Sequence, residues 1–414
     1  MTGRLPVAGE VVAGGGLLHR RAVLAAGAAS AGALLGGAAE VGTRSPAWML
    51  TPGAPLSRGG SGDGITRLVP DLPFAGSGSS RTPLDSLVGT ITPSALHFER
   101  HHNGVPAIDA ERHELLVHGL VRQALLFRYE DLLRYPLHTR TLFIECSGNS
   151  ALIAASAPEQ ASAGQINGLL SCSEWSGVLL STLLDEAGVD PAARWVQAEG
   201  ADAAAMTRSI PLSLRDDVMI ALRQNGAPLR PEQGYPMRLL LPGVEGNASV
   251  KWLRRLRLLA APAFSRDETS KYTDLHADGT ADAFSLRMGV KSIILRPSFG
   301  HDLRAPGVTE ISGLAWSGRG RVQGVAVSAD GGRSWADAAL DGPVLPQALT
   351  AWRIPWRWSG APATLMSRAT DETGAVQPAR AAWRARYAPG QRYHANAVQS
   401  WAVDPTGRIT HVYA

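Results

Sequence analysis

The chain has 414 residues, 45% of them hydrophobic, with a formal net charge of +4 and a pI of about 9.3. That length predicts two or three domains around ordinary globular cores. Basic and acidic residues are interspersed and no Lys/Arg block occurs, so the charge reads as a solvated surface and excludes a nucleic-acid partner. Arginine far outnumbers lysine, which reads as composition bias without functional weight.

Residues 1–39 carry the first signal. His19-Arg20-Arg21-Ala22-Val23-Leu24 opens a mild Ala/Gly/Leu-rich run. A charged pair before a weakly apolar stretch and small residues is an export signal. The run is too weakly hydrophobic for a membrane span, and paired arginines favour the twin-arginine route, which delivers folded protein to the periplasm. That route often carries cofactor-loaded proteins, so a prosthetic group is expected. Residues 40–81 are rich in Gly, Ser and Pro and read as a flexible linker or arm.

Residues 82–265 show mixed patterning. A strand is expected over 114–119, short amphipathic helices over 129–135 and 177–187, and strands over 238–242 and 251–259. Scattered short helices and strands indicate an α+β domain. Residues 266–414 differ. Short β-like runs at 290–295, 308–316, 321–328, 352–356 and 363–369 are separated by the turns "SGRG", "ADGG" and "DETG". Regular short strands with turns predict an all-β sandwich of immunoglobulin-like size.

The chain has two cysteines, Cys146 and Cys172. They are too few for a disulfide framework, and no Cys-x-x-Cys-His or zinc-finger spacing occurs, so no haem is expected in this chain. Cys146 ends a short apolar run and is followed at once by a Ser-Gly-Asn turn. Cys172 reads as a small buried hydrophobe.

Five motifs occur in order: "FERHH" (98–102), "FIECSGNS" (143–150), "EGAD" (199–202), "GYPMRLLLPGVEGNASVKWL" (234–253) and "ETSKY" (268–272). Together they resemble the sulfite oxidase family of molybdenum enzymes. "LMSRATDETGAVQP" (365–378) resembles that family's immunoglobulin-like dimerisation domain. The resemblance spans residues 82–414 and implies a molybdopterin-binding catalytic domain, a dimerisation domain, a molybdenum–molybdopterin cofactor and a homodimer. Cys146 would be the metal ligand, because a soft thiolate suits a metal already held by sulfur. Cofactor-binding positions would be Phe98, Glu99, Arg100, His101, His102, Asp202, Gln233, Arg238, Ser249, Val250 and Lys251. Arg238 and Lys251 can face phosphate, and Asp202 can accept from pterin N–H groups. Arg100, Tyr272 and Trp175 match positions on the substrate side.

Three positions depart from the family pattern. Gln233 stands where relatives carry a histidine, Ala151 where they carry an arginine, and Ser400 where a second arginine is expected from the dimerisation domain. Losing cations should open and neutralise the pocket and weaken binding of a small dianion. "ECSGNS", "SCSEW" and "DETSKYTDLHADG" look closest to the SoxC branch, the molybdenum subunit of sulfane dehydrogenase. That branch implies oxidation of sulfane sulfur held on a carrier protein, with electrons passed to a separate c-type cytochrome. A sulfite:cytochrome c oxidoreductase and an exported cofactor-free binding module are the alternatives.

Overall fold

In the computed structural model the described residues are 45–57, 78–269, 271–391 and 393–414, with the short strands Val11–Ala13 and Leu17–Leu18. Met1–Ala47 and Trp48–Ala414 are separate compact units, and in the first the two short strands pair antiparallel. The arginine pair, the apolar run after it and residues 58–77 of the expected arm lie outside the described residues.

Within Trp48–Ala414, one five-stranded sheet runs in spatial order Thr207–Pro211, Trp195–Gly200, Leu253–Leu259, Glu114–Gly119 and Leu125–Arg128. A second runs Ala227–Pro228, Met219–Gln224, Leu170–Leu179 and His138–Glu145, with Arg238–Leu240 also paired to Met219–Gln224. These sheets enclose a core that includes Leu115, Val178, Leu184, Val196, Ile220, Leu239 and Leu256. The helix Leu180–Ala187 covers it because Leu180, Leu183, Leu184 and Ala187 fall on one face. Gly188, at φ 70°, ends that helix by returning its N–H to Leu184 O.

The expected helix over 177–187 is three residues too long, since 177–179 belong to the strand Leu170–Leu179. Gly177 pairs with Ala221 beside a bulge in the neighbouring strand, where a Cβ would come within 2.0 Å of Ile220 O, so glycine here permits the close approach of the two strands. The expected helix over 129–135 is the shorter Tyr129–Leu132. Residues 45–57 also differ from a free arm. From Trp48 on, this stretch folds onto its own unit through the Ala54–Val105 bridge and the burial of Met49 beside Trp252.

The later strands form two further sheets: Lys291–Arg296, Gly307–Trp316, Thr350–Trp358 and Ala339–Asp341; and Ala336–Asp337, Val322–Ser328, Ala363–Asp371, Ser400–Val403 and Ile409–Val412. Ile293, Trp316, Val325, Leu365, Ala369 and Trp401 meet between them, making an all-β sandwich. The same core takes in Phe143, Ile153, Leu170 and Cys172 from the α+β part. The Phe143 N–H donates to Gln347 O at 2.9 Å, so backbone bonding as well as apolar packing joins the two parts.

Candidate active site

The apolar strand His138–Glu145 ends inside the protein, and the chain turns at Cys146. The turn is fixed from both sides. Cys146 N–H donates to Leu169 O at 3.0 Å, and Asn149 N–H closes back on Cys146 O at 2.8 Å. Asn149 Oδ1 accepts from Leu169 N–H at 3.1 Å. Ser150 takes a left-handed φ of 60°, unusual without glycine, and starts the turn Ala151–Ala154. The Cys146 thiol is half-buried, and burial raises its pKa against the opposing pull of the Gly148 N–H and Arg100.

Cys146 lines a cavity with about 690 Å³ of empty space, part of it open to solvent. Phe98, Arg100, His101, His102, Asp202, Gln233, Arg238, Ser249, Val250, Lys251 and Tyr272 line it too. Residues from five separate stretches of sequence therefore converge on the thiol.

One pole of the cavity is basic and deeply buried. Arg238 donates to Gln233 O at 3.1 Å and to Ser249 O at 2.9 Å, and its guanidinium lies 5.3 Å from the Trp175 ring centroid. Burial lowers its pKa to about 9. Lys251 donates to Glu232 O at 3.0 Å, to Arg100 O at 3.2 Å and to His101 Nδ1 at 2.7 Å. Burial, then Arg238, lowers its pKa to about 7. Burial also pushes His101 down to about 4, so the ring is neutral; it accepts from Lys251 and gives its Nε2–H to Glu99 at 2.9 Å. Gly234, at φ 108°, lets this corner close: a Cβ there would stand 3.0 Å from Arg238 Cβ and 3.2 Å from Lys251 Cβ. Gln233 is committed as well, donating to Phe98 O at 2.9 Å.

Arg100, His102 and Tyr272 also line the cavity. Tyr272 holds a left-handed φ of 53°, a strained conformation for a bulky residue. Its hydroxyl donates to His102 Nε2 at 3.0 Å. His102 is the acceptor because burial, then Arg100, drives its pKa down to about 3. Burial raises the Tyr272 pKa well above its ordinary value, so the phenol stays protonated. Tyr393 of the β-sandwich packs on the Tyr272 ring at 5.4 Å.

Several expectations need correction. Trp175 is not a cavity wall: it is 0% exposed, donates its indole N–H to Leu142 O and supports Arg238 from behind. Glu99 is likewise 0% exposed and acts through His101; Ser57, on the N-terminal arm, donates to it with both N–H and hydroxyl. Ala151, whose side chain ends at Cβ, does not reach the cavity and brings no charge to it. Ser400 is buried in the strand Ser400–Val403, and the sandwich reaches the substrate wall through Tyr393 instead.

Other residues escaped sequence reasoning. His97, Ile144, Met206, Asn247 and Trp252 also line the cavity. Asn247 donates to Ser147 Oγ at 3.1 Å and to Glu245 Oε2 at 3.0 Å. Behind the cysteine turn lies Lys291, fully buried and paired with Glu145 at 3.1 Å. A signal for it exists. The sequence has only three lysines, at 251, 271 and 291, among 40 basic residues. Two of the three are at this site, Lys251 partly buried and Lys291 fully buried.

Residues 102–266 match the family described as oxidoreductase molybdopterin binding domain, and residues 283–400 the family described as Mo-co oxidoreductase dimerisation domain. The chain is 32% identical to mitochondrial sulfite oxidase of Mus musculus, over 75% of this chain and 62% of that protein. It is 32% identical to sulfite oxidase of Gallus gallus, over 70% of this chain and 68% of that protein. The chain belongs to the sulfite oxidase family. The crystal structure of the sulfane dehydrogenase SoxCD from Paracoccus pantotrophus superposes with a TM-score of 0.81 at 43% identity, covering 84% of this chain and 90% of that one. The chain spans about 62% of the length of the mitochondrial sulfite oxidases it matches.

The cavity residues fit the family's cofactor. Asp202 Oδ1, Arg238 Nε and Asn247 Oδ1 are buried at its wall with no hydrogen-bond partner among the described residues. Buried polar atoms are normally satisfied. Two acceptors and a cationic donor left open around a thiol suit a polar, anionic ligand that brings its own metal.

Proposed function

We propose that this protein is a molybdenum-dependent sulfur-compound dehydrogenase that oxidises sulfane sulfur held on a carrier protein. Electrons leave to a separate c-type cytochrome subunit, and the enzyme works as a homodimer in the periplasm after export by the twin-arginine route. The carrying observation is the convergence of Cys146, Arg100 and Tyr272 on one cavity with the buried basic pole of Arg238 and Lys251. The higher identity to sulfane dehydrogenase, 43% against 32% for the sulfite oxidases, supports the choice of substrate.

The roles follow from the geometry. When bound, the molybdenum cofactor supplies two-electron redox chemistry and oxygen-atom transfer. Cys146 would hold the metal by its thiolate, on a turn that cannot shift without breaking the bonds to Leu169 and Asn149. Arg238 Nε would bind the anionic end of the cofactor, with the Lys251 ammonium as a nearby countercharge, and Asp202 Oδ1 would accept from the pterin. Arg100 orients an anionic sulfur terminus. Tyr272 keeps its proton and gives it to His102 Nε2, so the phenol oxygen is held in one orientation with its lone pairs free to accept. Phe98, Ile144 and Trp252 give the cavity apolar walls that exclude water and strengthen these interactions.

Molybdenum analysis of the purified protein, with kinetics on free sulfite and on carrier-bound sulfane sulfur, tests the proposal. Stoichiometric molybdenum and preference for the carrier-bound substrate are expected. Preference for free sulfite would make the protein a sulfite:cytochrome c oxidoreductase, and absence of molybdenum would reject both.

A further inference from the structure

We infer that Lys291 and Trp316, from the β-sandwich, are positioning residues for the reaction: they hold the Cys146 turn in place by gripping Glu145. This rests on the reading of Cys146 as metal ligand. Lys291 opens the strand Lys291–Arg296 and is fully buried. Its ammonium donates to Glu145 Oε1 at 3.1 Å and to Ser150 Oγ at 2.6 Å. The Trp316 indole N–H donates to the other oxygen, Glu145 Oε2, at 2.7 Å, and its ring lies 5.3 Å below the Lys291 ammonium. Asn149 completes the carboxylate with a bond to Oε1 at 2.9 Å. Glu145 immediately precedes Cys146, and Ser150 ends the turn that begins there, so one lysine holds both flanks of the thiol.

The bonding is saturated. Glu145 takes three donors, and Ser150 passes its own hydroxyl proton to Asn167, which pairs with Gln399 of the sandwich at 2.8 Å. A buried ion pair is a poor device for stability alone, because apolar residues of similar volume often serve as well or better. Here the charges sit on the residue that precedes the thiol and are supplied from the other domain. The geometry of the thiolate is therefore set by how the sandwich docks. A neutral amide pair would keep the hydrogen bonds without the charges, which gives a rescue test.

The experiment compares wild type, Lys291→Met and the double variant Glu145→Gln/Lys291→Gln as holoenzymes, reading molybdenum per chain, kcat per molybdenum, KM and the electron paramagnetic resonance spectrum of the metal. In Lys291→Met, kcat per molybdenum should fall on the order of tenfold with KM changed by less than about twofold, and the spectrum should shift. The double variant should regain kcat to within about threefold of wild type. A second readout uses cofactor-free protein. Labelling of Cys146 by a thiol reagent, mapped by mass spectrometry, should be about fivefold or more faster in Lys291→Met than in wild type. A Lys291→Met enzyme with wild-type kcat per molybdenum, spectrum and labelling rate overturns the inference. If wild type holds no molybdenum, the ligand reading fails by itself, and the labelling rates still decide whether Lys291 positions the turn.

Discussion

Replacing Lys251 by methionine separates the energetic cost of a buried cation from its use. Its pKa falls from 10.5 to about 7, through burial and then Arg238. Keeping that group in the cofactor-free fold at pH 7 therefore costs on the order of 4 kcal/mol relative to the unfolded chain. Methionine removes the cost but strands the carbonyls of Arg100 and Glu232 and the Nδ1 of His101. Three lost partners offset about 1 kcal/mol each, leaving a net gain of about 1 kcal/mol for the variant. The pH dependence is the sharper signature. Because the folded pKa lies below the unfolded one, the wild-type fold loses stability as pH falls from about 10.5 toward 7, and no more below it. Methionine has no such dependence, so its advantage should shrink by about 2 kcal/mol between pH 7 and pH 9. Urea titrations of both cofactor-free proteins at the two pH values measure it. The same substitution should lower molybdenum retention, since the ligand loses its buried countercharge. A stability difference that is equal at pH 7 and pH 9 refutes the buried cation.

Cys146→Ser should abolish turnover while thermal unfolding stays close to wild type, because a hard hydroxyl replaces a soft ligand at a half-buried position. Cys172→Ser should keep kcat and cost about 1 kcal/mol in denaturant titration, since Cys172 is 0% exposed and its thiol meets apolar neighbours and the Leu349 backbone. Tyr272→Phe should lower kcat by about tenfold or more at nearly constant KM, through loss of the O–H to His102. Because burial raises the Tyr272 pKa, the wild-type rate should show no tyrosine limb in a pH profile below pH 10. Changing Arg20 and Arg21 together to lysine should leave precursor in the cytoplasm on fractionation; normal periplasmic accumulation would reject the twin-arginine route.

Most of the strand pattern was legible because alternation and turn chemistry are local. Strands expected at 290–295 and 308–316 appear as Lys291–Arg296 and Gly307–Trp316. The helix expected over 177–187 starts three residues later because Gly177 pairs with the strand Met219–Gln224, a contact distant in sequence. Trp175 was placed on the substrate side by motif position, but its burial depends on Leu142 and Arg238 from other strands. Lys291 was invisible for a different reason. Its partner Glu145 is 146 residues away, and no local pattern marks a pair closed by domain docking. The scarcity of lysine held that information. Where arginine is the default cation, a retained lysine marks a position that needs a compact ammonium on a slim stem.

Arg100 is the cavity cation best placed to meet an anionic substrate. Ala151 lies off the cavity, and Lys291 spends its charge on Glu145 and Ser150 behind the turn. Of the cations lining the cavity, Arg238 and Lys251 are tied to the backbone at the basic pole. Burial raises the pKa of both Cys146 and Tyr272, and Arg100 pulls against that rise at each. Its Nη1 is held by His101 O, which fixes the plane of the guanidinium and leaves its other donors for substrate. One planar cation suits a singly charged sulfur terminus better than a small dianion, which calls for several. Arg100→Gln should therefore weaken an anionic sulfur substrate by the value of one charge-assisted bond, about 1.5–3 kcal/mol, or roughly ten- to a hundredfold in kcat/KM. Arg100→Lys should recover only part of this, because an ammonium cannot reproduce the fork. Kinetics on carrier-bound sulfane sulfur and on free sulfite, with molybdenum content held equal, read the effect. Loss of more than one charge-assisted bond on sulfite, with no change on the carrier-bound substrate, would show that Arg100 serves the dianion and would reverse the assignment.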